Sequence, residues 1–202
     1  MSLPLRHTDK KREAILQAAI REFRSHGFEA TSMDKIAASA EVSKRTVYNH
    51  FPSKEELFAA ILHQLWEKSA SQGELKYQPD RSLHEQLTDF LQGKMNMLCD
   101  PNFIDLARVA VAATIHAPDR ARDMVEKLRR KEEGIAAWIK AAQADGKIKT
   151  GDPELMADML QGQLKSQAFW PQIAMGQNCL NETQQSQVVS LTVAMFLQHY
   201  QC

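Results

Sequence analysis

The stretch TSMDKIAASAEVSKRTVYNHFPSKEELF, Thr31 to Phe58, decides the fold. Ser32 caps a short helix. Asp34 places negative charge in its first turn, and Lys35 stands where a capping box carries an acid. Met33, Ile36, Ala37 and Ala40 form its apolar face. The turn Ala40-Glu41-Val42 leads to a second short helix, capped by Ser43 and running to about Asn49. Phe51-Pro52 ends it, because the residue before a proline avoids the helical region. Ser53 caps the next helix, and Glu56 completes an S-x-x-E capping box. The buried side of that helix is Leu57, Phe58, Ile61, Leu62 and Leu65. Two short helices across a tight turn, with a third packed behind, make a helix-turn-helix. Ala37, Ala38 and Ala40 let the first two approach closely, and Ile36, Val42 and Val47 form the small core between them.

Working outward, Asp9–Ser25 reads as a helix with Ile15, Ala18, Ala19 and Phe23 at helical spacing. Thr8 or Asp9 caps its start, and Gly27 is its left-handed stop. Downstream, Ser69–Pro79 reads as a loop that joins a small N-terminal domain to a larger one. Five more helices follow, roughly Arg81–Cys99, Asn102–His116, Asp119–Ala144, Pro153–Met175 and Glu182–Tyr200. Pro101, Pro118, Gly146 with Gly151, and Gly176 with Asn181 separate them. Pro171 predicts a kink or an early stop. No stretch alternates as a strand does and no segment repeats. The expected fold is all-α with about nine helices, divided into residues 1–54 and 55–202.

The chain has 202 residues, enough to bury a sizeable core. A hydrophobic share of 44% and a charged share of 25% are ordinary for a globular protein. No apolar run reaches the length of a membrane span, and MSLPLRHTDKKR lacks the apolar core of a signal peptide, so no membrane partner is expected. Cys99, Cys179 and Cys202 are few, odd in number and far apart. That argues against a disulfide framework or a zinc site and favours a reducing cytoplasm. A glycine-rich phosphate loop, H-E-x-x-H, paired cysteines and G-x-S-x-G are all absent, so neither an enzyme nor a cofactor or metal is expected. Net charge is zero, but residues 1–54 hold ten Lys/Arg against six Asp/Glu, a surplus of four that hints at a polyanion partner on one face.

In a helix-turn-helix the second helix enters the major groove with its N-terminal end leading. Here that end is Ser43-Lys44-Arg45-Thr46, groups that suit base edges and phosphates. Tyr48 and His50 lie towards the other end, within reach of the sugar-phosphate backbone. Lys54 is placed for a flanking phosphate, as are Thr31, Ser32 and Lys35 at the start of the preceding helix. Each residue taken singly also fits a structural role; the joint pattern of caps, turn and basic leading end points to double-stranded DNA.

The segment AILQAAIREFRSHGFEATSMDKIAASAEVSKRTVYNHFPSKEELF, Ala14 to Phe58, resembles the TetR/AcrR family of bacterial transcriptional regulators. The resemblance implies an N-terminal three-helix reader, a linking fourth helix and a larger helical domain that holds a ligand pocket and a dimer interface. By that resemblance Ser43, Lys44, Arg45, Thr46, Tyr48, His50 and Lys54 occupy DNA-contacting positions. Arg45 departs from the family pattern, where a small residue is common. Around Ala107 to Met175 the chain is somewhat similar to the AefR-type subgroup.

One such reader spans too few base pairs for useful specificity, and a two-fold dimer supplies a second. The last two helices are the candidate interface: Leu155, Met159, Leu160, Leu164 and Ala168 on one; Val188, Leu191, Thr192, Met195 and His199 on the other, with Val189 and Phe196 beside them. Phe103, Arg108, His116, Trp138, Phe169 and Trp170 are candidate ligand-binding residues, the rings for an apolar or amphipathic effector and Arg108 and His116 as polar anchors; plain core is the competing reading of the rings. The expected function is a ligand-responsive repressor that binds a palindromic operator as a homodimer. A ligand-independent protein of chromosome organisation and an activator are the alternatives.

Overall fold

The computed structural model describes residues 7–70, 75–115 and 133–202. Among them the helices are α1 (His7–Ala30), α2 (Met33–Ser39), α3 (Lys44–His50), α4 (Lys54–Ala70), α5 (Leu83–Leu98), α6 (Pro101–Ile115), α7 (Glu133–Ala144), α8 (Pro153–Ala168), α9 (Trp170–Ala174) and α10 (Glu182–Tyr200). The only β pairing among the described residues is an isolated bridge, Ile148 to Gln201. The chain is all-α, as its periodicity predicts. His116 and the start of the helix expected from Asp119 lie outside the described residues. No described helix is long and apolar enough to cross a membrane. The chain divides into two compact units, Met1–Leu65 with Asp105–Met124, and Trp66–Ile104 with Val125–Cys202.

In the first unit α1 buries Ile15, Leu16, Ala18, Ala19, Ile20 and Phe23. Gly27 breaks it with φ 79°, and the helix resumes as far as Ala30 instead of stopping. Phe23, Phe28 and Phe58 then pack as a trio, with ring centroids 5.1–6.2 Å apart. α2 packs on both α1 and α3. The Ser32 side chain accepts the Lys35 N–H at 3.2 Å, Ser43 accepts that of Thr46 at 3.1 Å, and Ser53 accepts that of Glu56 at 3.1 Å. Ile36 and Val47 are wholly buried, and Val42 is half-buried at the edge of the same small core.

Glu41 carries the turn between α2 and α3 at φ 54°, in the left-handed region. The Ala40, Glu41 and Val42 N–H groups donate to the Ile36, Ala38 and Ala37 carbonyls, at 2.9, 3.2 and 3.1 Å. A residue with a Cβ pays about 1–2 kcal/mol for that conformation. Glu41→Gly is therefore expected to stabilise the protein by about 0.5–1 kcal/mol after the loss of unfolded-state freedom. Thermal melts should show a gain of roughly 1–4 °C. Glu41→Ala keeps the strain and should show none.

In the second unit α10 packs on α5 and α8, and α8 packs on α5, α7 and α9. The helix expected over Pro153–Met175 is two helices. α8 ends at Ala168, Phe169 is the break, and Pro171 sits in the first turn of α9, where its missing N–H costs nothing. Gln86 of α5 is almost fully buried and uses its whole amide. Its oxygen accepts the Gln78 N–H at 2.9 Å and the Trp138 indole N–H at 3.0 Å; its nitrogen donates to the Gln78 and Arg81 carbonyls at 2.9 and 2.8 Å. It fastens the segment before α5 to α5 and α7. Gln172 of α9 donates to the carbonyls of Leu98 and Ala168.

The cysteines correct the sequence reading. Cys99 and Cys179, 80 residues apart in sequence, form a disulfide with Cα atoms 5.6 Å apart. Separation along the chain carries no information here, because Cys99 caps the C-terminus of α5 and Cys179 lies in the segment leading into α10, the helix that packs on α5. Cys202 is free and exposed. No group of His, Cys, Asp and Glu among the described residues has the arrangement of a metal site.

Candidate nucleic-acid interface

α3 has seven residues, and Val47, fully buried, fixes which side of it faces inward. At 100° per residue, Arg45, Tyr48 and Asn49 then lie on the outward side. All three are exposed, as are Ser43 and Lys44. Tyr48 is 49% exposed, high for a tyrosine on a helix that also fills a core. Thr46 and His50 are half-buried. The Thr46 hydroxyl lies 2.8 Å from that of Ser43, which holds both at the leading end of the helix. The His50 ring centroid is 6.4 Å from that of Phe51, itself buried with the Arg12 guanidinium 5.0 Å over its face.

The outward side thus gathers Arg45 and Tyr48 as expected from the sequence and adds Asn49, while Lys44 is exposed at the leading end of the helix. An amide can read adenine by a bidentate contact. The spacing signal for Asn49 was present, since it stands four residues after Arg45 and two after the buried Val47. Ser32 is exposed at the start of α2. Thr31 is different. It is 2% exposed, and its hydroxyl sits 2.8 Å from the Gly27 carbonyl and 3.2 Å from that of Glu22. That hydroxyl is committed to carbonyls near the C-terminal end of α1.

Lys54 also has a structural role. Its ammonium donates to the Phe28 carbonyl at 2.7 Å and the Glu29 carbonyl at 3.2 Å, and lies 4.4 Å from the centre of the Phe28 ring. It satisfies carbonyls at the C-terminal end of α1, where a cation is favoured. An ammonium has three donors, so these two bonds leave one for a phosphate. No spacing rule links Lys54 to residues 25 and 26 positions earlier; only the packing of α4 beside the end of α1 does.

Lys44 reaches Asp34 of α2 at 2.5 Å, an ion pair with both partners largely exposed. The carboxylate competes with any phosphate for this cation and adds negative charge beside α3. An exposed pair is worth at most about 1 kcal/mol, or roughly fivefold. Asp34→Asn is therefore expected to strengthen binding to random duplex about two- to fivefold at low salt. The gain should shrink as salt rises and screening shortens the reach of the charge. Fluorescence anisotropy over a salt series checks this, and weaker binding would mean that Asp34 orients Lys44.

The residues expected to face a ligand do not form one group. Phe103, Phe169 and Trp170 make a chain of rings, with centroids 6.5 and 5.1 Å apart, and Trp170 is about half exposed. Trp138 stands apart from them, in the α7 core, with its ring 5.9 Å from that of Tyr77 and its N–H held by Gln86. Arg108 pairs with Asp105 at 3.4 Å, and Asp105 also binds Arg24 of α1 at 2.6 Å. The apolar stripes of the last two long helices divide cleanly. Leu160, Leu164, Ala168, Val189, Thr192 and Phe196 are buried, whereas Leu155 and Met159 of α8 and Leu191 and Met195 of α10 are each more than half exposed.

The family profile for bacterial regulatory proteins of the tetR family matches residues 15–61, and that for the C-terminal domain of AefR-like transcriptional repressors matches residues 85–202. The HTH-type transcriptional regulator YhgD of Bacillus subtilis (strain 168) is 31% identical over 157 residues, 73% of this chain and 76% of that one. Among solved structures, a TetR family transcriptional regulator from Pseudomonas syringae pv. tomato str. DC3000 is 53% identical with a TM-score of 0.84, covering 96% of this chain and 98% of that one. The flavonoid-responsive regulator FrrA is 27% identical with a TM-score of 0.73, covering 96% and 98%.

Proposed function

Because this chain belongs to the TetR family of bacterial transcriptional regulators, we propose that it is a repressor that binds a palindromic operator as a homodimer and leaves it when a small molecule binds. The observation that carries the reading is α3. A buried Val47 and a Ser43 cap hold a short helix whose outward side is Arg45, Tyr48 and Asn49, with Lys44 exposed at its leading end. In the major groove Lys44, Arg45 and Asn49 read base edges. Ser43, Thr46, Tyr48, His50, Lys54 and the Thr31–Ser32 turn sit along phosphates. Residues 1–54 act as the reader, and residues 55–202 sense the effector and dimerise.

Two exposed pairs at i, i+4 spacing, Leu155 with Met159 and Leu191 with Met195, support the dimer. They lie on α8 and α10, which pack on each other, so two helices from each subunit can close a four-helix interface. The Phe103–Phe169–Trp170 chain suits an apolar or amphipathic effector, and the response of FrrA to flavonoids favours a small molecule of that kind. The effector acts by population shift, favouring a dimer whose recognition helices are wrongly spaced for successive grooves.

Selection of bound sequences from random duplex DNA tests the reading. A two-fold site is the expected result, with half-sites about one helical turn apart or a multiple of that. A single unrepeated half-site would remove the dimer from the proposal, and no enrichment at all would remove the reader.

A further inference from the structure

We propose that Cys99 and Cys179 form a reversible thiol–disulfide site through which the redox state of small thiols sets the strength of operator binding. The proposal rests on the reading above for the reducing surroundings, for the dimer and for the effect on operator binding; the bonded pair itself does not depend on it. A protein that works on bacterial DNA works where thiols are kept reduced, and there a pair held at bonding distance is usually transient and redox-sensing, not a permanent staple. The Cα atoms are 5.6 Å apart, within the range a disulfide spans without backbone movement. Both residues are half-buried at the surface of the second unit, within reach of a small reagent.

What the bond holds gives it consequence. Cys99 caps α5, and Cys179 lies in the segment 175–181 that leads into α10. That segment is tied down at both ends. Met175 and Gln177 donate to the Pro171 carbonyl at 3.2 and 3.1 Å, and Asn181 forms a capping box with Gln184 at the start of α10. Between those ties, among the described residues, the backbone N–H and C=O groups of 178–180 bond to no other backbone group. The Gln185 side chain reaches the Leu180 carbonyl at 2.7 Å and the Cys179 sulfur at 3.9 Å. The disulfide is therefore the covalent tie between this segment and α5. α5 is the main packing partner of α10, and α10 carries the exposed Leu191 and Met195. Opening the bond frees the lead-in to α10 and loosens the seating of a helix that faces the partner subunit.

The chemistry is exchange with a low-molecular-weight disulfide such as glutathione disulfide. One protein thiolate attacks a sulfur of the small disulfide and releases one small thiolate, which takes up the proton the protein thiol lost. The second protein thiolate attacks the mixed disulfide, forms the Cys99–Cys179 bond and releases the second small thiol. Two protein thiols are oxidised and one small disulfide is reduced to two thiols.

The test uses the full chain carrying Cys202→Ser, poised in glutathione buffers from fully reduced to fully oxidised. Three quantities are read: the fraction bonded, by differential alkylation and mass spectrometry; amide hydrogen exchange over residues 176–185; and affinity for the selected operator. The expected result is a reversible transition of one pair. On reduction, exchange over 176–185 should quicken at least tenfold and operator binding should weaken at least fivefold. Cys99→Ser and Cys179→Ser should sit at the reduced values in every buffer. A pair that stays unbonded in oxidising buffer, or equal or tighter binding by the reduced protein, overturns the proposal. If neither form binds any duplex while exchange still follows the bond, the DNA-binding reading has failed and the thiol site stands.

Discussion

Alanine at both Lys44 and Tyr48 should cost operator binding about 2–4 kcal/mol, roughly a 30- to 1000-fold loss. The Lys44 base contact accounts for about 1–3 kcal/mol and the Tyr48 hydroxyl for about 1 kcal/mol. Both side chains are exposed on α3, and alanine favours helix. The fold should therefore survive. Among the described residues the one side-chain bond lost is the exposed Lys44–Asp34 pair, worth at most about 1 kcal/mol. Anisotropy titrations at moderate salt, with circular dichroism and a melting curve beside them, separate binding from folding. Unchanged binding by the double variant would sink the assignment of α3 as the recognition helix. The single variants should differ in kind: Tyr48→Ala weakens all sequences alike, whereas Lys44→Ala or Arg45→Ala changes which sequences are preferred.

Trp138→Ala should be the most destabilising single change in the second unit, at about 3–5 kcal/mol. The indole is 1% exposed and packs beside Tyr77, and its N–H is one of four bonds that satisfy the Gln86 amide. Trp138→Phe retains most of the packing and removes the donor, which should cost about 1–3 kcal/mol. Urea unfolding measures both. The pair of variants also decides between two roles for the residue. A core tryptophan lowers stability and leaves the concentration of effector needed for operator release unchanged. A ligand-lining one changes that concentration at little cost in stability.

The parts of the fold readable from the sequence are those governed by neighbours in the chain. Ser32, Ser43 and Ser53 cap their helices through bonds three residues long, and spacing alone names them. The buried Ile36 and Val47 follow from the same local pattern. The candidate reader was legible for this reason, since a recognition helix is exposed by the burial of its own opposite side. Residues decided by tertiary packing were not legible. Lys54 and Thr31 read as phosphate ligands from the sequence, and the bonds they also make to carbonyls near the end of α1 have no local signature. Cys99 and Cys179 look unrelated until α5 and α10 pack. The stripes of α8 and α10 are wide enough for two partners, but only the packing says that Leu160 and Val189 turn inward while Met159 and Leu191 turn out. Trp138 carried a ring that suits a pocket; its bond to Gln86, 52 residues away, has no local signature.

The left-handed turn at Glu41 has a consequence for mutational tolerance. Glu41 is exposed and contributes nothing to the core, and a position of that kind ordinarily accepts almost any polar side chain. Here backbone handedness filters the substitutions instead. Glycine, asparagine and aspartate fit the turn, whereas valine and isoleucine, whose branched Cβ crowds the positive-φ region, are expected at the bottom of the ranking despite touching nothing. A surface residue in the centre of the reader is thus among the more constrained positions in the chain, and the constraint acts on the angle between α2 and α3, not on any contact the side chain makes.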